Sequence, residues 1–122
     1  MIRGVRGAIQ APSNDSGPIL QCAEVLMKAL IETNGIHSAD VAAVFFTVTR
    51  DLDAVFPAGV RSRLGWELVP FLCGQEIPVP GSLERVLRVL ILFETGRLQE
   101  EIQHQYLGAA ESLRPDLKDP RH

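Results

Sequence analysis

Val86–Phe93 reads VLRVLILF, seven strongly apolar side chains and one arginine, and the rest of the chain arranges itself around this run. A stretch this short, β-branched at Val86, Val89 and Ile91 and preceded by Pro78, Pro80 and Gly81, reads as a strand rather than a helix. Alternation sends Val86, Arg88, Leu90 and Leu92 to one face and Leu87, Val89, Ile91 and Phe93 to the other. Both faces are apolar, so this is an inner strand, and Arg88 points where its neighbours avoid water. A guanidinium cannot shed its proton and needs a carboxylate there, from the protein or from a ligand. A structural ion pair, or a charge snorkelling from the strand end, meets the same need.

Two further segments read as sheet of the same kind. Val41–Thr49, VAAVFFTVT, is apolar on both faces until its end and is a second central strand. Glu67–Cys73 is a third, closed by Gly74-Gln75-Glu76 and the proline-rich IPVPG segment. Glu76, directly after apolar Phe71, Leu72 and Cys73, is either a solvated loop charge or the acceptor Arg88 requires. At the start of the chain Ile2–Gln10 forms a strand with Ile2, Arg6 and Ala8 on one face and Val5 and Ile9 on the other. Gly4 and Gly7 weaken it, and one reason to keep them is close approach of a backbone or a ligand beside Arg6. An edge strand with an exposed Arg6 is the other reading.

Helices cover this sheet sparsely. Asp15 or Ser16 caps a helix entered through Pro18 and running to about Asn34, with Ile19, Cys22, Ala23, Leu26 and Leu30 inward, Glu24, Lys28 and Glu32 outward, and Gly35 as its stop. Phe56-Pro57-Ala58 leads into a short helix to about Leu64 that carries Arg61 and Arg63 and ends at Gly65. Between 97 and 113 the apolar stripe Ile102, Tyr106, Ala109 and Leu113 fits a helix, but Gly108 interrupts it, and a short helix followed by an irregular edge strand fits equally well. The fold class is α/β (α+β): a single-domain mixed sheet of about five strands under two main helices. One sheet face is left bare, which predicts a homo-oligomer.

Composition narrows the function. The 122 residues carry a net charge of −3 and show no basic cluster, which argues against nucleic acid and anionic membrane as partners. Ten of the twelve basic residues are arginine, the side chain suited to bidentate contact with carboxylate or phosphate. Cys22 and Cys73 stand far apart, and His37, His104 and His122 form no metal-binding pair, so neither a metal site nor a disulfide framework is expected. The start, MIRGVRGAIQ, lacks a signal h-region and no apolar run reaches membrane length, so the expected location is cytoplasmic.

MIRGVRGA at the start, DLDAVFPA at 51–58, CGQE at 73–76, PGSLERVLRVL at 80–90, YL at 106–107 and LRPDL at 113–117 occur in this order. As a set they resemble the small monofunctional bacterial chorismate mutases over nearly the whole chain. The resemblance implies a chorismate mutase domain at 1–117 with a mobile tail at 118–122. It also implies a homotrimeric pseudo-α/β-barrel whose active sites lie at subunit interfaces. The family's reaction, the Claisen rearrangement of chorismate to prephenate on the way to phenylalanine and tyrosine, is unimolecular and pericyclic, and it needs no nucleophile, proton transfer or cofactor. By motif match Arg88 would face the ether oxygen and a substrate carboxylate. Arg6 would bind the same face, and Glu76 would accept the ring hydroxyl and hold Arg88, with Cys73 alongside. Tyr106 would contact a carboxylate, Phe56 and Ala58 would wall the pocket from the neighbouring subunit, either Arg61 or Arg63 would reach in, and Arg114 would help close the site. Two other readings stand beside it: a trimeric Rid-type imine deaminase, which also uses a buried arginine, and a non-catalytic trimeric module that holds a dicarboxylate.

Overall fold

The computed structural model describes residues 1–113; Arg114 and the tail 118–122 lie outside the described residues. Five strands, β1 (Ile2–Gln10), β2 (Val41–Val48), β3 (Phe71–Gln75), β4 (Val86–Glu94) and β5 (Gln105–Leu107), form one mixed sheet in the order β3-β2-β4-β1-β5. The VLRVLILF run thus occupies the centre, antiparallel to both neighbours, with β3 parallel to β2 on one edge and β5 parallel to β1 on the other.

Helix α1 (Ser16–Asn34) covers one face of this sheet. Asp15 sits at its N-cap in extended conformation without a side-chain cap bond, and Ser16 instead donates to the Ala54 carbonyl at 3.3 Å. The helix ends as the sequence predicts: Gly35 turns left-handed (φ 62°), its N–H bonded to the Ile31 carbonyl, a conformation that costs glycine little. Ile19, Ala23, Leu26, Met27 and Leu30 of α1 are buried against Val5, Val44, Phe46 and the Leu87, Val89, Ile91, Phe93 face of β4. Each such side chain contributes about 1.5–3 kcal/mol when fully buried, so this face holds the domain together. Met27 joins the inward stripe, while Cys22 is only partly buried.

The second helix, α2 (Val60–Leu64), is a single short turn after a 3-10 turn at Pro57–Gly59, so α1 does nearly all the covering. On the other sheet face Arg88, Leu90, Leu92 and Phe45 are only half-buried, Leu72 is 63% exposed and Ile2 51%. The bare face expected from the strand-to-helix ratio is present in the single chain.

One segment differs from the sequence-based expectation, and a second follows one of its two readings, the short helical turn before an edge strand. The third strand begins at Phe71, not Glu67, and runs on to Gln75. Residues 66–69 close a turn instead, with the Trp66 N–H on the Arg61 carbonyl at 3.0 Å and the Val69 N–H on the Trp66 carbonyl at 3.1 Å, so Trp66 and Val69 reach the core from a loop. Between 97 and 113 no long helix forms: a 3-10 turn (Gln99–Glu101) precedes β5, and a second 3-10 segment (Gly108–Leu113) follows it. Gly108, at φ 58°, is the residue that turns the chain out of β5, which is why the apolar stripe breaks there.

Gly7 is the tightest point of the sheet. A Cβ there would stand 2.8 Å from Leu26 Cδ1, 2.9 Å from the Gln105 carbonyl and 3.1 Å from Leu30 Cδ1, so the glycine lets both α1 and β5 approach β1. Gly7→Ala is expected to destabilise the fold by about 1–3 kcal/mol through overpacking, read as a lowered urea midpoint. An unchanged midpoint would mean that helix and edge strand yield freely here.

Candidate active site

The register of the sheet assembles the polar residues of its bare face. Thr47 lies opposite Arg88 across β2 and β4, Arg88 opposite Ala8 across β4 and β1, and Ala8 beside Tyr106 across β1 and β5. These residues form one row across four strands, and partners in a row project to the same face. The next row along the same face runs Leu72, Phe45, Leu90, Arg6. Strand pairing therefore brings Arg6, Arg88 and Tyr106, far apart in the chain, onto one patch.

Glu76 completes it. Its N–H bonds the Val48 carbonyl at 2.9 Å, which continues the β3 ladder one residue past the strand and sends the side chain to the bare face. The Arg88 Nε donates to Glu76, 2.9 Å from Oε2 and 3.1 Å from Oε1, and the Thr47 hydroxyl donates to Oε2 at 3.0 Å. Glu76 is 15% exposed and Arg88 39%. A half-exposed ion pair of this kind is worth about 0–1 kcal/mol, so fold stability alone does not account for a charge at the centre of the sheet. Because Glu76 takes Nε, the two terminal nitrogens of Arg88 make no hydrogen bond among the described residues and remain available to an acceptor beyond the face. Arg6 is exposed, its backbone N–H bonded to His104 Nδ1 at 3.0 Å, and Tyr106 packs with Leu83, Val86, Ala8 and Ala110.

Cys73 is placed elsewhere. It pairs with Phe46, a buried residue of the α1 side, and so faces away from Arg88. It lines a cleft of ≈ 580 Å³ together with Leu52, Val55, Phe56 and Pro57. Burial pushes its thiol up, while a hydrogen bond from the Ala58 backbone works the other way. Phe56 stands 77% exposed at the mouth. Within one chain the candidate residues thus fall into two groups on opposite faces of the sheet: Arg6, Glu76, Arg88 and Tyr106 on the bare face, and Phe56, Ala58 and Cys73 on the helix side. The two arginines of α2 differ in their ties. Arg63 lies 3.3 Å from Glu24 of α1, a carboxyl held below its usual range first by Lys28 and then by Arg63. Arg61 meets Glu67 only at 4.0 Å and is the less committed of the two.

Sequence reasoning missed Thr47, and it missed a latch between the two groups. Arg85 is, among the described residues, the non-glycine residue with positive φ (53°), a conformation that costs about 1–2 kcal/mol. It is held by Asp51, whose two carboxylate oxygens accept its N–H at 3.2 and 3.0 Å, and by its own Nε on the Ala11 carbonyl at 3.1 Å. The Thr49 hydroxyl also donates to Asp51 and accepts the Val86 N–H at 3.0 Å. The Thr-x-Asp spacing after β2 is a turn signal, but its partner thirty-odd residues on is visible only in the fold. The latch ties the start of β4, three residues before Arg88, to the loop that leads to Phe56. Asn14 secures that loop from the other side, its Oδ1 accepting the N–H groups of Asp53 and Ala54 at 3.0 and 3.1 Å.

Among the described residues no cluster of His, Cys, Asp or Glu has the arrangement of a metal site, and no helix is long and apolar enough to cross a membrane. The family model of chorismate mutase type I matches residues 2–117. The chain is 46% identical over 119 residues to "Chorismate mutase AroH" of Thermus thermophilus, covering 97% of this chain and 98% of that one. It is 42% identical over 118 residues to "Chorismate mutase AroH" of Bacillus subtilis (strain 168), covering 96% and 93%. The solved structure of a chorismate mutase from Clostridium thermocellum superposes with a TM-score of 0.89 at 37% identity, covering 90% of this chain and 98% of that one.

The latch carries its own prediction. Asp51→Ala leaves the N–H of the strained residue Arg85 without its acceptor, and it should lower stability by about 1–3 kcal/mol in urea unfolding. A variant as stable as the parent would show that Arg85 keeps its conformation unaided.

Proposed function

The chain belongs to the chorismate mutase type I family and is a chorismate mutase, and on that premise we propose that the bare-face patch centred on Arg88 carries the rearrangement of chorismate to prephenate. The observation that supports this most is the Arg88–Glu76 pair, in which the carboxylate takes Nε and both terminal nitrogens are without a hydrogen bond among the described residues. Membership over residues 2–117 sets aside the imine deaminase.

In the rearrangement one carbon–oxygen bond of the ether breaks as one carbon–carbon bond forms. Negative charge grows on the ether oxygen, and no atom enters or leaves. Catalysis then requires a dianionic substrate held in a compact, chair-like conformer and a cation already placed at that oxygen. In our reading the terminal nitrogens of Arg88 donate to the ether oxygen and to one substrate carboxylate, the planar fork suiting two acceptors at once. Glu76, steadied by Thr47, keeps the guanidinium in plane and accepts the ring hydroxyl through an oxygen lone pair. Arg6, one row along, and Tyr106, in the same row as Arg88, bind the substrate's charged groups. Because the donors stand on paired strands, little reorganisation is needed as charge develops, and their interaction strengthens where water is excluded.

Water exclusion is the part a single chain lacks. We read the active assembly as a homotrimer in which the cleft of one subunit, lined by Phe56 and Cys73 with Ala58 next to it in the chain, closes over the Arg88 patch of its neighbour. Two features support this: the two groups lie on opposite faces of one sheet and cannot meet in one chain, and an apolar side chain stands exposed on each side, Leu72 on the bare face and Phe56 at the cleft. Arg61, more loosely tied than Arg63, is the α2 cation we place in the shared site, with Arg114 as a further cation that helps close it.

The test adds chorismate alone to the purified protein and follows the loss of its ultraviolet absorbance, with prephenate identified by chromatography. Arg88→Ala and Arg88→Lys are both expected to lower kcat/KM by at least about 10²–10³-fold, the cost of one lost oxyanion-type donor of ~3–4 kcal/mol. Near-parental turnover by the lysine variant would remove Arg88 from this role. Subunit sharing is checked by mixing inactive Arg88→Ala chains with chains whose cleft mouth carries a charge in place of its exposed aromatic ring, Phe56→Asp. Each mixed trimer then holds a site with both halves intact, and activity should return on mixing; a mixture as inactive as its parents would place each site within one chain.

A further inference from the structure

We infer that His104 is a positioning residue for Arg6, its imidazole standing in for the backbone carbonyl that β5 does not supply. The inference rests on the reading of Arg6 as a substrate-binding cation. β1 and β5 run parallel in register from Gly7–Gln105 to Ile9–Leu107, so the ladder between them begins just after Arg6. Upstream, the chain is drawn off to α1: the amide of Asn34, a buried residue at the helix end, accepts the Gln103 N–H at 2.7 Å and donates to the Gln103 carbonyl at 2.9 Å. With the Gln103 backbone held there, the Arg6 N–H bonds His104 Nδ1 at 3.0 Å instead.

That bond fixes the chemistry of the ring. Nδ1 accepts, so it carries the lone pair, and the proton of the neutral ring belongs on Nε2. It also fixes the strand where it is weakest, because Arg6 lies between Gly4 and Gly7 and the local backbone has little stiffness of its own. Asn34 anchors the residue before His104, His104 anchors the backbone of Arg6, and the guanidinium of Arg6 is thereby aimed from a firm base. A side chain that only filled space at 104 would not need an acceptor at the δ position.

Three substitutions separate these roles. Asparagine places its Oδ1 where Nδ1 stands, glutamine places its oxygen one bond farther out, and alanine removes the acceptor. His104→Ala and His104→Gln are expected to raise KM for chorismate about five- to tenfold, the scale of one net hydrogen bond of about 1 kcal/mol, with a smaller change in kcat. His104→Asn should stay within about twofold of the parent, with thermal melts confirming that each variant is folded. Arg6→Ala is measured alongside. If it is unimpaired, the substrate-binding reading of Arg6 falls; if it is impaired while His104→Ala keeps the parental KM, or if His104→Asn is as poor as His104→Ala, the positioning role alone falls. An independent readout needs no variant: long-range ¹H–¹⁵N spectra of the unsubstituted protein at neutral pH should show His104 Nδ1 unprotonated. A ring protonated at Nδ1 overturns the inference.

Discussion

A permanent positive charge on the central strand of a five-stranded sheet constrains everything around it. Arg88 cannot neutralise itself, so the sheet must deliver a carboxylate to it. It does so from the end of β3, two strands away, by extending the ladder one residue to Glu76 and bracing the carboxylate with Thr47. The geometry of the pair matters more than its energy, since a half-exposed ion pair adds little stability. Binding through Nε leaves the terminal nitrogens without a hydrogen bond among the described residues, an arrangement suited to the proposed role, in which the transition state asks for a pre-placed cation rather than for a proton or an electron pair.

The second constraint is the imbalance between sheet and helix. One long helix buries one face, and the other face, which carries Arg6, Arg88 and Tyr106, stays half-open in the single chain. Phe56 and Cys73 stand on the opposite side, lining a cleft of their own, with the Ala58 backbone hydrogen-bonded to Cys73. In the trimer we propose, the same contact that shields the apolar face also brings these two groups together, so assembly and site formation become one event.

Side chains acting as backbone recur wherever the site is held. Asn34 pairs with both main-chain groups of Gln103, Asn14 receives the N–H groups of Asp53 and Ala54, His104 receives that of Arg6, and Asp51 receives that of the left-handed Arg85. Each stands near the end of a strand or helix, where the regular ladder runs out and a main-chain group needs another partner. They are short-range devices with a long-range result: the loop to Phe56, the start of β4 and the start of β5 are each tied to a different part of the fold.

The sequence by itself determined the elements whose signals are local. Apolar runs at Val41–Thr49 and Val86–Phe93 specified central strands, the Pro18 entry and Gly35 stop bounded α1, and too few helices for the strands exposed one face. The ordered motifs CGQE and PGSLERVLRVL then placed the chain in its family and singled out Glu76 and Arg88, which the fold brings together. Tertiary structure alone decided what depends on register and facing. Cys73 lies on the other side of the sheet from Arg88 because it pairs with Phe46, and the third strand starts at Phe71 because Trp66 and Val69 are drawn into the core from a turn. Tyr106 shares a row with Arg88, and Arg85 adopts a strained conformation against Asp51, through contacts between residues distant in the chain. Periodicity reports which side of a strand is apolar; it carries no information about which distant strand lies alongside, and that pairing is what brings Arg6, Arg88 and Tyr106 onto one face.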